Sequence, residues 1–227
     1  MSYQSDEEQV ELLKRLWKEY GKPAVIGVMI TLVAVFGYKA WQKNQYETAV
    51  AASQLYQNLL ETVGEASGMT LTEEQHSTVN HVVVTLQKDY SNTLYAAFAT
   101  LFRAQQQVRD NQLDAARLSL DWVVKHNADN EAGFVARIRL ARVLLAQSTD
   151  NVQAALDVLK PMENKEVFAA SREDVSGDVY LAMGQKEKAA AAYQKAINIA
   201  TENGESRPLL QLKLDDLAPA EKASQEG

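Results

Sequence analysis

Along most of the chain apolar residues recur every three to four positions, the period of a helix with one buried face, and no segment shows the alternation of a half-buried strand. Residues 6–20 carry Val10, Leu13, Trp17 and Tyr20 on one stripe, with Asp6, Glu7 and Glu8 at the positive end of the helix dipole and Lys14, Arg15 and Lys18 later. Gly21 predicts the end of this helix, and Pro23 suits the first turn of a new one. From Pro23 to Tyr38 the chain has sixteen residues without a charge, and Thr31 is the one clearly polar side chain among them. The helical period returns through Ala49, Ala52, Tyr56, Leu59, Leu60 and Val63 and stops at Gly64. A loop is expected from Gly64 to Leu71. Thr72 followed by Gln75 then fits a reciprocal cap for a helix bearing Val79, Val82, Val83 and Leu86 and ending near Tyr90. From Leu94 onward helix follows helix, with breaks expected at Asp110-Asn111, His126 to Asn130, Ser148 to Asn151, Glu163-Asn164, Gly184-Gln185 and Glu202 to Glu205.

The uncharged run reads as a membrane span. Sixteen residues cover roughly 24 Å against a hydrocarbon core of about 27–30 Å, and the shortfall closes if Lys22 and Lys39 extend their stems to the headgroups. Tyr38 and Trp41 suit one interface, Tyr20 and Trp17 the other. No small-x-small cleavage site follows the run, and the stretch before it is long and acidic for a secretory leader, so a retained signal-anchor is expected. Lys14, Arg15, Lys18 and Lys22 precede the span while Lys39 and Lys43 follow it. That bias places the amino terminus in the cytoplasm and exports the remainder, which in a bacterium means the periplasm. The stripe at residues 10–20 could rest on the inner leaflet or on the cytosolic surface of a partner. Gly27 and Thr31 give a small-xxx-small spacing that would suit contact with another membrane helix.

Charge narrows the partner class. The net charge is −7, and the first 41 residues balance five cations against five acids, so the whole deficit lies on the exported part. Such a domain argues against nucleic acid, whose phosphates need a basic face. No cysteine is present, which excludes a disulfide framework and a thiolate metal site. His76 and His81 lie about 140° apart around one helix, poorly placed to share a metal, and His126 stands near a helix end where a cation complements the dipole. No GxSxG, Walker, GxGxxG or HExxH pattern occurs, and neither a cofactor nor an enzymatic activity is expected.

Paired helices invite a search for repeats, and residues 171–203 resemble a tetratricopeptide unit. Gly177 and Tyr180 stand at the small and aromatic sites of a first helix, Gly184 at the turn, and Ala189, Tyr193 and Ala196 at the small, aromatic and small sites of a second. Ala104, Leu113, Ala116 and Leu120 form a weaker copy with Asn111 at its turn; Ala141, Leu144, Ala155 and Leu159 form another across a turn about two residues longer. Stacked pairs of this kind build a solenoid with a concave binding face. The expected fold is all-α: one N-terminal transmembrane helix followed by a tetratricopeptide-like helical solenoid. The concave face is expected at Phe98, Leu101, Gln105 and Val108, at Val135, Ile138, Arg142 and Leu145, and at Asp174, Asp178 and Leu181. It would be apolar at one end and acidic at the other, with the acids selecting cations. The alternative is that Phe98, Leu101, Val135 and Ile138 are covered by the helix at 73–89 and belong to the core.

Beyond the repeat, Gln9-Val10-Glu11, Lys14-Arg15, Trp17, Glu19 and Gly21-Lys22 before a single span resemble the start of the YfgM family, the ancillary subunits of the SecYEG translocon in Gram-negative bacteria. Tyr56-Gln57-Asn58, Arg139-Leu140-Ala141-Arg142-Val143 and Gln211-Leu212-Lys213-Leu214 look like that family too, and the likeness fades after Leu217. The resemblance implies an inner-membrane protein with a periplasmic domain, associated with SecYEG and a PpiD-like membrane-anchored chaperone, that helps exported proteins fold or traffic. A scaffold for another envelope complex, or a regulator in the Rcs envelope-stress response, is the alternative. The chain thus divides into a cytoplasmic amphipathic segment (1–22), a signal-anchor (23–41), a periplasmic domain (42–217) and a tail (218–227) expected to be disordered.

Overall fold

The computed structural model describes residues 3–64 and 71–217, and every regular element among them is helical. The interior of the loop expected after Gly64 and the disordered tail expected at 218–227 lie outside the described residues. Two compact units divide between Ala51 and Ala52.

The first unit is helical throughout its described residues, as part of α1 (Tyr3–Gly64). The sequence predicts a stop at Gly21 and a restart at Pro23; the helix instead runs straight through both. Proline lacks one N–H, so a single bond to the Glu19 carbonyl is forgone, while a stop would leave several backbone groups unpaired at each new end. Gly21 is buried beneath its own helix's Trp17, where an added Cβ would meet the indole at 3.0 Å. From Val25 onward α1 is long and apolar enough to cross a membrane, with an 18-residue window of mean hydropathy 1.5, none of it buried. The Thr31 hydroxyl donates to the Gly27 carbonyl at 2.9 Å, so that polar group is satisfied within its own helix.

In the second unit Ala52 and Leu59 of α1 pack with Val79, Val82, Val83 and Leu86 of α2 (Glu73–Asp89) and with Ala96 and Ala99 of α3 (Leu94–Arg109). The reciprocal cap is present: the Gln75 backbone N–H donates to Thr72 Oγ1 at 3.3 Å, and the Thr72 N–H donates to Gln75 Oε1 at 2.9 Å. Three helix pairs follow. α3 pairs with α4 (Leu113–His126), α5 (Glu131–Gln147) with α6 (Val152–Leu159), and α7 (Ala169–Ala182) with α8 (Lys186–Glu202). A last short helix, α9 (Pro208–Asp215), packs on α8.

The turns of the first and third pairs share one device, a residue in the left-handed region: Asn111 at φ 57° and Gly184 at φ 73°. The second pair turns through a single 3₁₀ turn, Thr149–Asn151, opened by the Ser148 side chain, which accounts for its extra length. Small residues set the close approaches. At Gly133 a Cβ would overlap the Asn127 carbonyl oxygen, and at Gly177 it would press into the Tyr193 ring. The repeat positions Ala104, Ala116, Ala141, Ala155, Gly177, Ala189, Tyr193 and Ala196 are all buried, whereas Tyr180 packs at the edge of the last cluster and Gly184 stays exposed at its turn.

Candidate protein-binding groove

The residues expected on a concave face separate into three groups. Leu101 and Ile138 are only 7% and 6% exposed and belong to the main core with Ala97, Ala104 and Leu120. They therefore offer no side chain to a partner. The reason is angular: each stands three residues before a packing alanine, about 60° away around the helix, on the same face. Their cover is not α2, as the alternative had it, but the cluster formed with α4 and α5. Val135 and Leu145 are half-buried against that core. Phe98 is 42% exposed and leans on Tyr56, the ring centroids 6.3 Å apart.

Asp174 and Asp178 form the second group, and they are already engaged. Lys213 of α9 reaches them with Nζ at 2.7 Å and 2.6 Å, Tyr193 Oη donates to Asp178 at 2.7 Å, and Arg142 Nη2 donates to Asp174 at 2.9 Å. Lys213 also lies over the Tyr193 ring, 5.3 Å from its centroid. Burial lowers the pKa of the Lys213 ammonium, but its bonds to the two carboxylates outweigh that and raise it. Burial, with Asp178 second, pushes the Tyr193 phenol well above its usual range. The acidic end expected of the groove is thus neutralised from within, and Leu181 beside it stays exposed.

Gln105, Val108 and Arg142 make the third group, and the fold brings them together. They line a groove of about 420 Å³ between α3, α4 and α5. Its floor is Ala104, Leu120 and Val143, all buried; Val108 and Leu113 form an apolar wall; Arg139, Arg142 and Ala146 stand on the α5 side. Val108 is as close in angle to Ala104 as Leu101 is, but it sits in the last turn of α3 and remains 44% exposed. Each wall is fixed by polar contacts away from the groove. The Thr93 side chain caps α3 through the Ala96 N–H, Ser119 Oγ donates to Gln107 Oε1 at 2.8 Å, and Gln147 Nε2 donates to Asp114 at 2.6 Å.

Arg139 was not among the expected groove residues, although three arginines, Arg137, Arg139 and Arg142, within two turns of a largely apolar helix were a readable signal. Its Nη1 donates to the Leu101 carbonyl at 3.4 Å, and partial burial followed by the charge of Arg142 lowers its pKa. The histidines lie elsewhere: His76 stands 3.8 Å from Asp110, and His126 stacks on Trp122 with its Nδ1 2.9 Å from the Trp122 carbonyl. Among the described residues no group of three or more His, Cys, Asp or Glu side chains is assembled to hold a metal. An apolar trough edged by cations suits a polypeptide segment.

Residues 14–219 match the family model described as a tetratricopeptide repeat-like domain. A protein of Escherichia coli strain K12 named as an ancillary SecYEG translocon subunit is 29% identical over 217 residues, 95% of this chain and 98% of that protein. One of the same name from Neisseria gonorrhoeae is 30% identical over 214 residues, 93% of this chain and 97% of that protein. Among solved structures, MamA from Desulfovibrio magneticus is a loose likeness, with a TM-score of 0.48 at 18% identity over 79% of this chain and 98% of that one. With its apolar helix and its stacked pairs, the chain belongs to the family of ancillary SecYEG translocon subunits that carry a tetratricopeptide repeat-like domain.

Proposed function

We propose that this chain is a non-enzymatic, membrane-anchored adaptor of the SecYEG translocon, with its amino terminus in the cytoplasm and its helical domain in the periplasm. There it assists the folding or trafficking of exported proteins by binding other chains, a PpiD-like chaperone among them. The observation that carries this reading is the end-to-end alignment with relatives named as translocon subunits, which takes in the apolar helix and the helix pairs together. The cation bias across the apolar run supports the orientation, and the trough between α3, α4 and α5 supports binding rather than chemistry.

The test is affinity purification of the tagged full chain from detergent-solubilised membranes, followed by mass spectrometry. SecY and the chaperone should be enriched over an unrelated single-span protein, and equal recovery would sink the adaptor reading. Protease added to spheroplasts should remove the domain and spare the amino terminus. A domain protected until the membrane is broken would reverse the topology.

A further inference from the structure

The helices around the groove carry the sign opposite to that of the chain as a whole: α3, α4 and α5 hold seven Arg and Lys against three Asp and Glu. Asp174 and Asp178 are consumed by Lys213, Tyr193 and Arg142, while Arg139 has a backbone carbonyl and no carboxylate partner among the described residues. Arg139 and Arg142 lie three apart on α5, so their Cβ atoms are neighbours on one face, about 5–6 Å apart. One carboxylate, that of Asp174, serves the pair, and it reaches only Arg142. Two cations beside a buried apolar floor are thus left with one positive charge uncompensated, in a chain whose net charge is −7.

We propose that this groove binds an internal segment of a partner polypeptide in which an acidic side chain stands among aliphatic ones. The carboxylate meets Arg139 and Arg142, and the aliphatic neighbours lie on Leu120, Val143 and Val108. The proposal names the partner chemistry of the binding role inferred above and rests on that reading. A guanidinium fork takes a carboxylate through two parallel bonds, and beside an apolar floor such a bond is worth more than in open water. Burial first and the charge of Arg142 second disfavour the Arg139 cation, and an arriving anion offsets both. The charge comes from side chains on α5 and not from a ring of backbone donors, which fits a side-chain carboxylate in a passing segment better than a chain terminus.

The experiment uses the full chain in nanodiscs, with empty nanodiscs as the blank, and a peptide blocked at both ends that carries an uncharged fluorophore. One glutamate is set among leucines and alanines; a second peptide has glutamine in its place and a third lysine. Anisotropy should show the glutamate peptide binding about tenfold or more tightly than the glutamine one. Arg139→Gln should erase that difference without moving the melting temperature, Arg139→Glu should transfer the preference to the lysine peptide, and Val108→Ser should weaken both of the first two peptides alike. Equal affinities for glutamate and glutamine, no binding of either, or an unchanged preference in both Arg139 variants would overturn the proposal. Co-purification of SecY by the wild-type chain separates the two readings. If SecY is recovered while the peptide preference is missing, the inference about the groove falls and the adaptor role stands.

Discussion

Adding one methyl group at Gly177 should destabilise the last helix pair by a readable amount. A Cβ there would lie 2.5 Å from Tyr193 Cδ1 and 3.0 Å from Cζ, so the ring must retreat by about 1 Å to reach ordinary contact. The ring has little room to do so: Tyr193 is fully buried, and its hydroxyl is bonded to Asp178 at 2.7 Å. Overpacking of this kind costs about 1–3 kcal/mol, and losing a hydrogen bond to a charged group adds about 1.5–3. Replacing glycine in a helix returns about 1 kcal/mol. The net loss for Gly177→Ala is therefore about 1.5–5 kcal/mol, which for a domain of this size lowers the melting temperature by roughly 3–20 °C. Urea unfolding of the full chain in detergent, followed by circular dichroism, measures it. A double-mutant cycle with Tyr193→Leu locates the strain, because the two losses should fall short of adding when the smaller side chain makes room. Gly177→Ala as stable as the wild type, or strictly additive losses, would refute the claim that close approach to Tyr193 is what requires glycine there.

Three further outcomes follow from the same contacts. Leu101→Ser should cost about 2–5 kcal/mol because that side chain is core, whereas Val108→Ser, at 44% exposure, should stay within about 1 kcal/mol in the same denaturation assay. Asn111 adopts φ 57°, so Asn111→Val should cost about 1–2 kcal/mol while Asn111→Gly is neutral or slightly stabilising, as thermal melts would show. The raised folded-state values of Lys213 and Tyr193 mean that their stabilisation is complete below their ordinary values and is lost as pH climbs from about 10 through the raised ones. Denaturation midpoints on either side of that pH should fall steeply for the wild type and less for Lys213→Met.

Local signals in the sequence carried much of this architecture. The Thr72–Gln75 cap, the turns at Asn111 and Gly184 and the small residues at helix contacts each depend on neighbours within one or two turns, where spacing alone is informative. Gly21 and Pro23 misled because both are common at helix boundaries, yet a proline removes only one bond and neighbouring turns carry the helix past it. The neutralisation of the expected acidic end was hidden for a different reason. Lys213 lies 35 and 39 residues from the aspartates it neutralises, and no periodicity announces a partner at that distance. Leu101 and Val108 share an angular position relative to Ala104, and only the neighbouring helices decide which of the two is covered.

The reach of Lys213 across to Asp174 and Asp178 also sets an order of events. A chain is made, and threaded through any pore, from its amino end, so α3 to α6 can close their core while the last pair still waits for its clasp. Until Lys213 has emerged, Asp178 lacks its counter-ion and Tyr193 its lid. The final repeat is therefore the last part of the domain to mature, and a copy truncated before α9 would carry a finished front and an unlatched rear.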